Sequence, residues 1–458
     1  MGGINRILIA NRGEIACRIA RSCRALGITS IAVCSEADQQ ALHVRSCDEH
    51  RLVGPARAQH SYLNVERILE AARETSADAV HPGYGFMAEN AGFAEAVIDS
   101  GMIWIGPAPA SIREMGDKAR ARSIARDAGV PILPGSDRLT GDAALDGLAD
   151  WAQGVGFPVL VKASAGGGGI GMKRVDRGSE LQAAVQSTQG LARSNFGDDT
   201  VFLEKFIPRA RHVEVQVLGL GGGRAVHLFE RECSIQRRYQ KIIEEAPSPA
   251  VTESVRQRMT QAAVALAESQ DYIGAGTVEF ILDDETGEFY FLEMNTRIQV
   301  EHPVTEMVTG EDLVAHQIRV AAGEPPGLVQ QDLRCDGHAI ELRLYAEDPF
   351  NNFMPQPGTL TTFDLPLADS SIRLDAGYEQ GSVIPPYYDP LIAKLIVAGA
   401  DRQEAIEKAV AALRGARIEG IRTNVPFLLN VLSHRAFRSG ETLTSFIPDH
   451  EAELLRAE

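Results

Sequence analysis

The sequence predicts a multidomain protein of mixed α/β and α+β class, and three observations carry that reading. At 458 residues the chain exceeds one ordinary core, so roughly two to four domains are expected. Residues 1–106 alternate short apolar runs with amphipathic stretches, the pattern of a parallel sheet covered by helices. Further on, clean period-2 alternation over Arg211–Leu218, and a turn-linked pair at Gly274–Leu282 and Glu288–Asn295, indicate antiparallel strands.

In the N-terminal part, Ile7–Ala10 and Ser30–Cys34 read as buried strands. Glu14–Leu26 between them has helical spacing at Ile15, Ile19 and Leu26 and stops at Gly27. Ala79-Val80 and Met102–Ile105 supply further strands, with helices near 64–75 and 88–99. The first turn, Asn11-Arg-Gly-Glu14, lacks the GxGxxG fingerprint, which argues against nicotinamide binding. His81–Asn90 lies where a strand hands over to a helix, the usual ligand position in open α/β sheets. Gly83 and Gly85 allow close backbone approach there.

Pro107, Pro109, Pro131 and Pro134 bracket a segment, 107–133, that reads as a linker carrying Asp117-Lys118 and a helix over 117–128. A second unit, 134–206, holds the strand Phe157–Ala163 ending in Lys162, then the loop Ser164–Gly171 with Gly166, Gly167, Gly168, Gly169 and Gly171. No Lys-Ser/Thr follows the glycines, so this is no P-loop. A loop so rich in bare backbone N–H donors still suits the covering of a polyphosphate. Phe202–Phe206 is a strand with Glu204 and Lys205 at its end.

The remainder, 207–458, reads as a mixed β domain. Arg211–Leu218 puts His212, Glu214 and Gln216 on one face, and Ala225–Phe229 is its expected partner through Gly221-Gly-Gly223. Gln236–Lys241 is a dense cationic patch, explained either by solvation or by pairing with nearby Glu244-Glu245. After a helix at 253–269 the predicted hairpin brings Glu279 beside Glu293, and paired acids are what Mg²⁺ needs. In Glu293–Glu301 the polar residues Glu293, Asn295, Arg297, Gln299 and Glu301 recur at every second position, predicting one polar face of an extended strand that His302-Pro303 prolongs. Two carboxylates, a guanidinium and two amides there suit a divalent cation and an oxyanion together. Beyond lie a helix over 311–322, a strand His338–Tyr345 with Glu341 and Arg343, β segments near 359–363, 372–374 and 392–397, and helices near 402–414 and 424–433.

Composition narrows the function class. A net charge of −17 argues against a general nucleic-acid or anionic-membrane surface. The six cysteines form no CxxC or zinc spacing, and buried reduced thiols are expected. No apolar run reaches the roughly twenty residues of a membrane span, Met1–Ala10 is too short in its apolar part to be read as a signal peptide, and Arg6 stands where myristoylation needs Ser or Thr. A cytoplasmic protein is expected, or one of an organelle matrix if a transit segment has been removed.

In this order the motifs resemble the biotin carboxylase component of biotin-dependent carboxylases, an ATP-grasp family. The matching segments are Ala10–Ile15, His81–Asn90, Asp117-Lys118, Gly166–Gly171, Arg211–Val217, Gln236–Pro247, Glu293–Val304, Gly337–Pro349 and Tyr388–Pro390. The resemblance implies an ATP-grasp fold with a mobile glycine-flap lid, and carboxylation of carrier-borne biotin by ATP and bicarbonate with Mg²⁺ or Mn²⁺. It implies that Lys118 and Lys162 contact phosphates under the flap, and that Glu204, Lys205, His212 and Gln236 belong to the nucleotide site. Glu279, Glu293 and Asn295 would hold the metal. Glu301 would be the general base. Lys241, Arg297, Gln299 and the Val300 backbone would hold bicarbonate, with Arg343 and Tyr84 at the biotin side. Implied partners are a biotin carboxyl carrier protein or domain, a carboxyltransferase component and a second copy of the chain. The Met-Lys pairs here lack the carrier context, so biotin is expected from another chain or a further segment. Tyr345–Pro349 and Phe446–Pro448 favour acyl-CoA carboxylase α subunits, of which a truncated propionyl- or methylcrotonyl-type chain is an alternative; another ATP-grasp ligase or a non-catalytic nucleotide-binding subunit are the remaining readings. Ile170 and Tyr239 depart from the pattern, where relatives usually carry Arg or Lys and His.

Overall fold

The structure, a computed structural model, describes residues 3–140, 145–163, 171–196, 198–324, 326–367 and 370–456. Near the N-terminus, β1 (Arg6–Ile9), β2 (Thr29–Ser35), β3 (Glu49–Gly54), β4 (Ala79–His81) and β5 (Ile103–Trp104) form a parallel sheet in the order β3-β2-β1-β4-β5. The chain reverses its winding between β1 and β4. The two loops that leave their carboxyl ends therefore splay apart and open the crevice in which such folds bind ligands. One leads into Glu14 in the first turn of helix Gly13–Ala25 and the other is the 81–90 segment, whose Asn90 side chain caps the next helix by accepting the Phe93 N–H.

The stretch expected as a linker instead contributes two helices, Pro109–Gly116 and Lys118–Asp127. Asp117 caps the second by accepting the N–H groups of Ala119 and Arg120. Met115, Ala121, Ile124 and Ala125 then bury against Val213, Val278 and Phe291 of the central sheet. That apolar stripe is why the stretch packs rather than tethers. Next, β6 (Val159–Ala163), β7 (Met172–Val175) and β8 (Val201–Lys205) form a small antiparallel sheet ordered β7-β6-β8, with its own core of Val159, Val161, Val175, Val185, Val201 and Leu203.

The centre of the molecule is an antiparallel sheet of eight strands. It comprises β9 (Ala210–Leu220), β10 (Ala225–Arg237), β11 (Gln240–Ala246), β12 (Ile273–Asp283), β13 (Phe289–Asn295), β14 (His338–Tyr345), β19 (Ile372–Ala376) and β21 (Leu391–Gly399), ordered β13-β12-β9-β10-β11-β14-β21-β19. Short pairs surround it: β15 (Glu347–Asp348) with β16 (Met354–Pro355), β17 (Gly358–Thr359) with β20 (Val383–Ile384), and β18 (Thr362–Asp364) with β22 (Arg417–Glu419). Helices Arg402–Gly415, Val425–Ser433 and Phe446–Leu454 cover the β14–β21 end. The N-terminal sheet and helix Leu313–Ala321 share one core with Leu218, Leu228, Ala275 and Ile298. All six cysteines are free thiols; Cys23, Cys34 and Cys233 are buried, whereas Cys17, Cys47 and Cys335 are only partly covered. Among the described residues no helix is long and apolar enough to cross a membrane.

Candidate active site

The polar series 293–301 does not stay extended. β13 ends at Asn295, Glu301 has φ −84° and ψ 8°, and helix His302–Thr309 starts directly behind it with Pro303 in its first turn. Proline's fixed φ and missing N–H suit a helix start, and here that preference outweighs the extended bias of the residue before it. The consequence is a change of direction. Glu293 and Asn295 project from a strand, whereas Arg297, Gln299 and Glu301 leave a turn. In the hairpin, Glu279 stands directly opposite Glu293, and Asn295 opposite Thr277.

Lys241 ties the halves together. Its Nζ donates to Glu214 Oε2 at 2.6 Å, Glu279 Oε1 at 2.8 Å and Glu301 Oε1 at 2.6 Å, using all three ammonium protons. Burial opposes its charge, but these carboxylates prevail and raise its pKa well above the ordinary lysine value. The cationic patch therefore reaches distant acids rather than Glu244-Glu245; Arg237 pairs with Glu347 and Arg238 donates to Asn352. The other Glu301 oxygen accepts from Arg343 Nη2 at 3.0 Å, and Arg343 Nε donates to Glu244 Oε1 at 2.6 Å. Burial would push Glu301 upward, yet Lys241, Arg343 and Arg231 hold it below the usual carboxylate range. Glu244 responds oppositely: burial lifts it to about 7 despite Arg343.

Beneath the turn sits Arg231, fully buried in β10 and absent from the sequence-derived site. It donates to Glu214 Oε1 at 2.5 Å, Gln216 Oε1 at 2.7 Å, Thr305 Oγ1 at 3.0 Å, Thr277 Oγ1 at 3.2 Å and Gln299 Oε1 at 2.8 Å. Gln299 passes the connection on, its amide donating to Glu279 Oε1 at 2.8 Å. Arg297 bridges outward, to Glu89 Oε2 at 2.9 Å and Asn295 Oδ1 at 3.0 Å, and so joins the 81–90 loop to the turn.

At the strand end of the site, Asn295 Nδ2 donates to Glu279 Oε1 at 2.9 Å. His212 Nε2 lies 2.9 Å from Glu279 Oε2, while Gln236 Nε2 lies 2.7 Å from His212 Nδ1. Burial would lower the His212 pKa, but Glu279 raises it. Glu293 has no hydrogen-bond donor among the described residues; burial and the facing Glu279 raise it, against the pull of Lys118. A carboxylate lacking a donor, an acid opposite it and an amide oxygen make a hard, oxygen-rich set that fits Mg²⁺. His212, Glu214 and Glu279 also bring ligand atoms within 4.8 Å of one another. Lys241 already lies among those carboxylates, so the Glu279–Glu293 side is the fitting position.

In the small sheet, Lys162 Nζ donates to Glu204 Oε2 at 2.7 Å, and Arg122 holds the other Glu204 oxygen. Lys205 has no side-chain partner among the described residues. Lys118 is solvent-exposed at the first position of its helix. Tyr239 is 67% exposed and, with Arg238, makes the β10–β11 turn at positive φ. Gly171 has φ +80° at the start of β7's approach. Gly166, Gly167, Gly168, Gly169 and Ile170 lie outside the described residues. On the N-terminal side, the Tyr84 hydroxyl donates to Glu14 Oε1. Lys394, also missed, donates to the Val300 carbonyl at 2.7 Å.

Comparison with known proteins accords with this geometry. Residues 3–112 match the biotin carboxylase N-terminal domain, 117–328 the ATP-binding domain of the carbamoyl-phosphate synthase L chain, and 341–449 the biotin carboxylase C-terminal domain. Biotin carboxylase 2 of Bacillus subtilis is 49% identical over 445 residues, 97% of this chain and 99% of that protein. The mitochondrial methylcrotonoyl-CoA carboxylase subunit alpha of Rattus norvegicus is 49% identical over 454 residues, and this chain spans only 63% of its length. Among solved structures, the biotin carboxylase domain dimer of Hydrogenobacter thermophilus 2-oxoglutarate carboxylase, in complex with MgADP, ADP and bicarbonate, superposes with a TM-score of 0.90 at 43% identity, covering 100% of both chains. Biotin carboxylase from Campylobacter jejuni gives 0.90 at 41% identity, covering 98% of this chain and 99% of that one. With the ATP-grasp architecture and nearly full-length identity in hand, the chain belongs to the biotin carboxylase family.

Proposed function

We propose that the chain carboxylates biotin presented by a carrier protein or domain, using ATP and bicarbonate, as the first half-reaction of an acyl-CoA carboxylase. The observation that carries this reading is the Lys241 ammonium, which touches an acid of the metal end, Glu279, and the candidate base, Glu301, at once. A phosphoryl-transfer centre and an anion-activating centre thus share one cation. Lys118 and Lys162 neutralise charge on the nucleotide phosphates beneath the glycine loop, and Glu204, Lys205, His212 and Gln236 line the nucleotide site. Glu279, Glu293 and Asn295 hold Mg²⁺, which supplies charge neutralisation at the phosphates when bound.

Lys241, Arg297, Gln299 and the Val300 N–H hold bicarbonate while Glu301 takes its proton. A bicarbonate oxygen then bonds to the γ-phosphorus and ADP leaves with the electron pair, giving carboxyphosphate. This breaks into CO₂ and phosphate, and the phosphate removes the ureido N–H proton of biotin. Arg343 stabilises the resulting enolate oxygen beside Tyr84, and the nitrogen attacks CO₂ to give N-carboxybiotin. A carrier, a carboxyltransferase component and a second copy of the chain are the partners of this reading. The three-part division at 1–106, 134–206 and 207–458 and a cytoplasmic location belong to it as well. The test is ADP release with free biotin. Release that depends on both bicarbonate and biotin supports the proposal; release indifferent to either one sinks it.

A further inference from the structure

We propose that Lys394 is a positioning residue for the turn 298–301, acting through the Val300 carbonyl. The inference rests on the carboxylation reading above and concerns a residue to which that reading assigns no part. Lys394 is the one charge in the apolar strand Leu391–Val397, and its side chain is 0% exposed. Desolvating an ammonium so fully is unfavourable unless its protons find good acceptors. One goes to Val300 O at 2.7 Å, and Glu14 Oε1 stands 3.1 Å from Nζ. The same Glu14 oxygen accepts from the Tyr84 hydroxyl. A single ammonium therefore joins β21, the turn, the first residues of helix Gly13–Ala25 and the 81–90 loop.

The choice of acceptor separates positioning from charge balance. Lys394 lies opposite Arg343 in the β14–β21 register, and opposite Asp375 in the β19–β21 register. Asp375 is already held by Arg373 at 2.6 Å and Arg21 at 2.9 Å. Glu341, two residues from Arg343 on the same face, is fully buried, and neither of its oxygens has a hydrogen-bond partner among the described residues. Charge balance accounts for the place of Lys394 beside these acids, for it is the foremost cation acting on both Glu341 and Glu14. Its shortest hydrogen bond nevertheless goes to a neutral carbonyl, at 2.7 Å against 3.1 Å to Glu14, and that bond is what charge balance leaves unexplained. Because the peptide is planar, aiming that carbonyl at Nζ fixes the orientation of the peptide leading into Glu301.

The test is Lys394→Met, alone and combined with Glu14→Gln, with Lys394→Arg as the variant that keeps a donor. Thermal midpoints are recorded beside KM values for bicarbonate and ATP in the biotin-dependent ADP-release assay. Losing a charge-assisted hydrogen bond at the turn should raise the bicarbonate KM of Lys394→Met about tenfold while ATP KM stays within about twofold. The double variant should recover the thermal midpoint yet keep the raised bicarbonate KM, and it provides the reading should Lys394→Met alone fail to fold. Lys394→Arg should lie nearer to wild type. Equal rises in both KM values, no rise, or recovery of bicarbonate KM in the double variant each overturns the positioning role. Wild-type protein without bicarbonate-dependent ADP release overturns the carboxylation reading itself, a result separate from all of these.

Discussion

Replacing Arg231 by Met tests whether the site is built on its buried guanidinium. Methionine keeps the aliphatic stem but stops where the guanidinium begins, so the change removes the charge and five donor contacts and leaves the space of the guanidinium tip unfilled. Glu214 keeps Lys241 but loses its closer partner, and four neutral acceptors lose theirs. Breaking one side of such a buried pair costs about 3–5 kcal/mol. Arg231→Lys keeps one cation beside Glu214 but cannot span the other acceptors, and should cost about 1–3 kcal/mol. Tryptophan fluorescence is the wrong probe, because Trp104 lies in β5 and Trp151 in helix Leu145–Val155, both outside the central sheet. Hydrogen exchange of the β9, β10 and β12 amides reports the right unit, and a loss of about 3 kcal/mol accelerates it by about a hundredfold. On a Glu214→Gln background the Met variant should be milder by at least about 1 kcal/mol. Unchanged exchange in Arg231→Met, or equal exchange in the Lys and Met variants, refutes the reasoning.

Arg343→Ala should lower carboxylation by about 10²–10³-fold while nucleotide binding stays nearly intact; loss of ATP binding would contradict the role given to it. Ile170→Arg should lower the ATP KM by restoring a cation to the glycine loop, and an unchanged KM would retire that idea. Glu245 carries a pH prediction: burial would raise its pKa, but His338 at 2.7 Å and Arg402 at 2.6 Å bring it down to about 2. Its stabilisation, about 3 kcal/mol, is complete above the unfolded value near 4.5 and fades as pH falls toward about 2. Urea titrations of wild type and Glu245→Gln should therefore differ most at neutral pH and converge on acidification. A gap that widens in acid has the wrong sign.

What the sequence disclosed and what it hid follow a physical division. Elements set by local period were legible: the parallel N-terminal unit, and the hairpin that sets Glu279 against Glu293. Features set by turn chemistry or sheet order were not. His302-Pro303 has two local readings, and only the helix behind it decides between them. Arg231 was hidden by a register irregularity between His227 and Glu230, where Phe229 has φ 63°. Such a bulge breaks the alternation, so the period-2 pattern stops at Phe229 although the strand runs to Arg237. Lys394 did leave a signal, a lone charge in an apolar strand, but its meaning needed the neighbouring strands. The pairing of Lys241 with acids from three other segments likewise depends on long-range register that no local pattern contains.

The geometry at Glu301 poses a problem for a general base, since both of its oxygens are taken by cations. A carboxylate held this far below its ordinary range stays ionised but accepts protons poorly. The same two cations are those the carboxylation reading assigns to anionic reactants. When bicarbonate engages Lys241, Glu301 loses that share of its compensation while remaining buried, and burial pushes its pKa upward. On this reading the base strengthens as bicarbonate binds. Because the ionised form is the active one, activity falls as pH drops through the Glu301 pKa. That acid limb should lie at higher pH in kcat, which reports the loaded enzyme, than in kcat/KM for bicarbonate, which reports the free enzyme. The profiles must use the bicarbonate concentration corrected for its own protonation. Coincident limbs, or a kcat limb displaced to lower pH, would mean that Lys241 stays with Glu301 when bicarbonate binds, and the proton would need another acceptor.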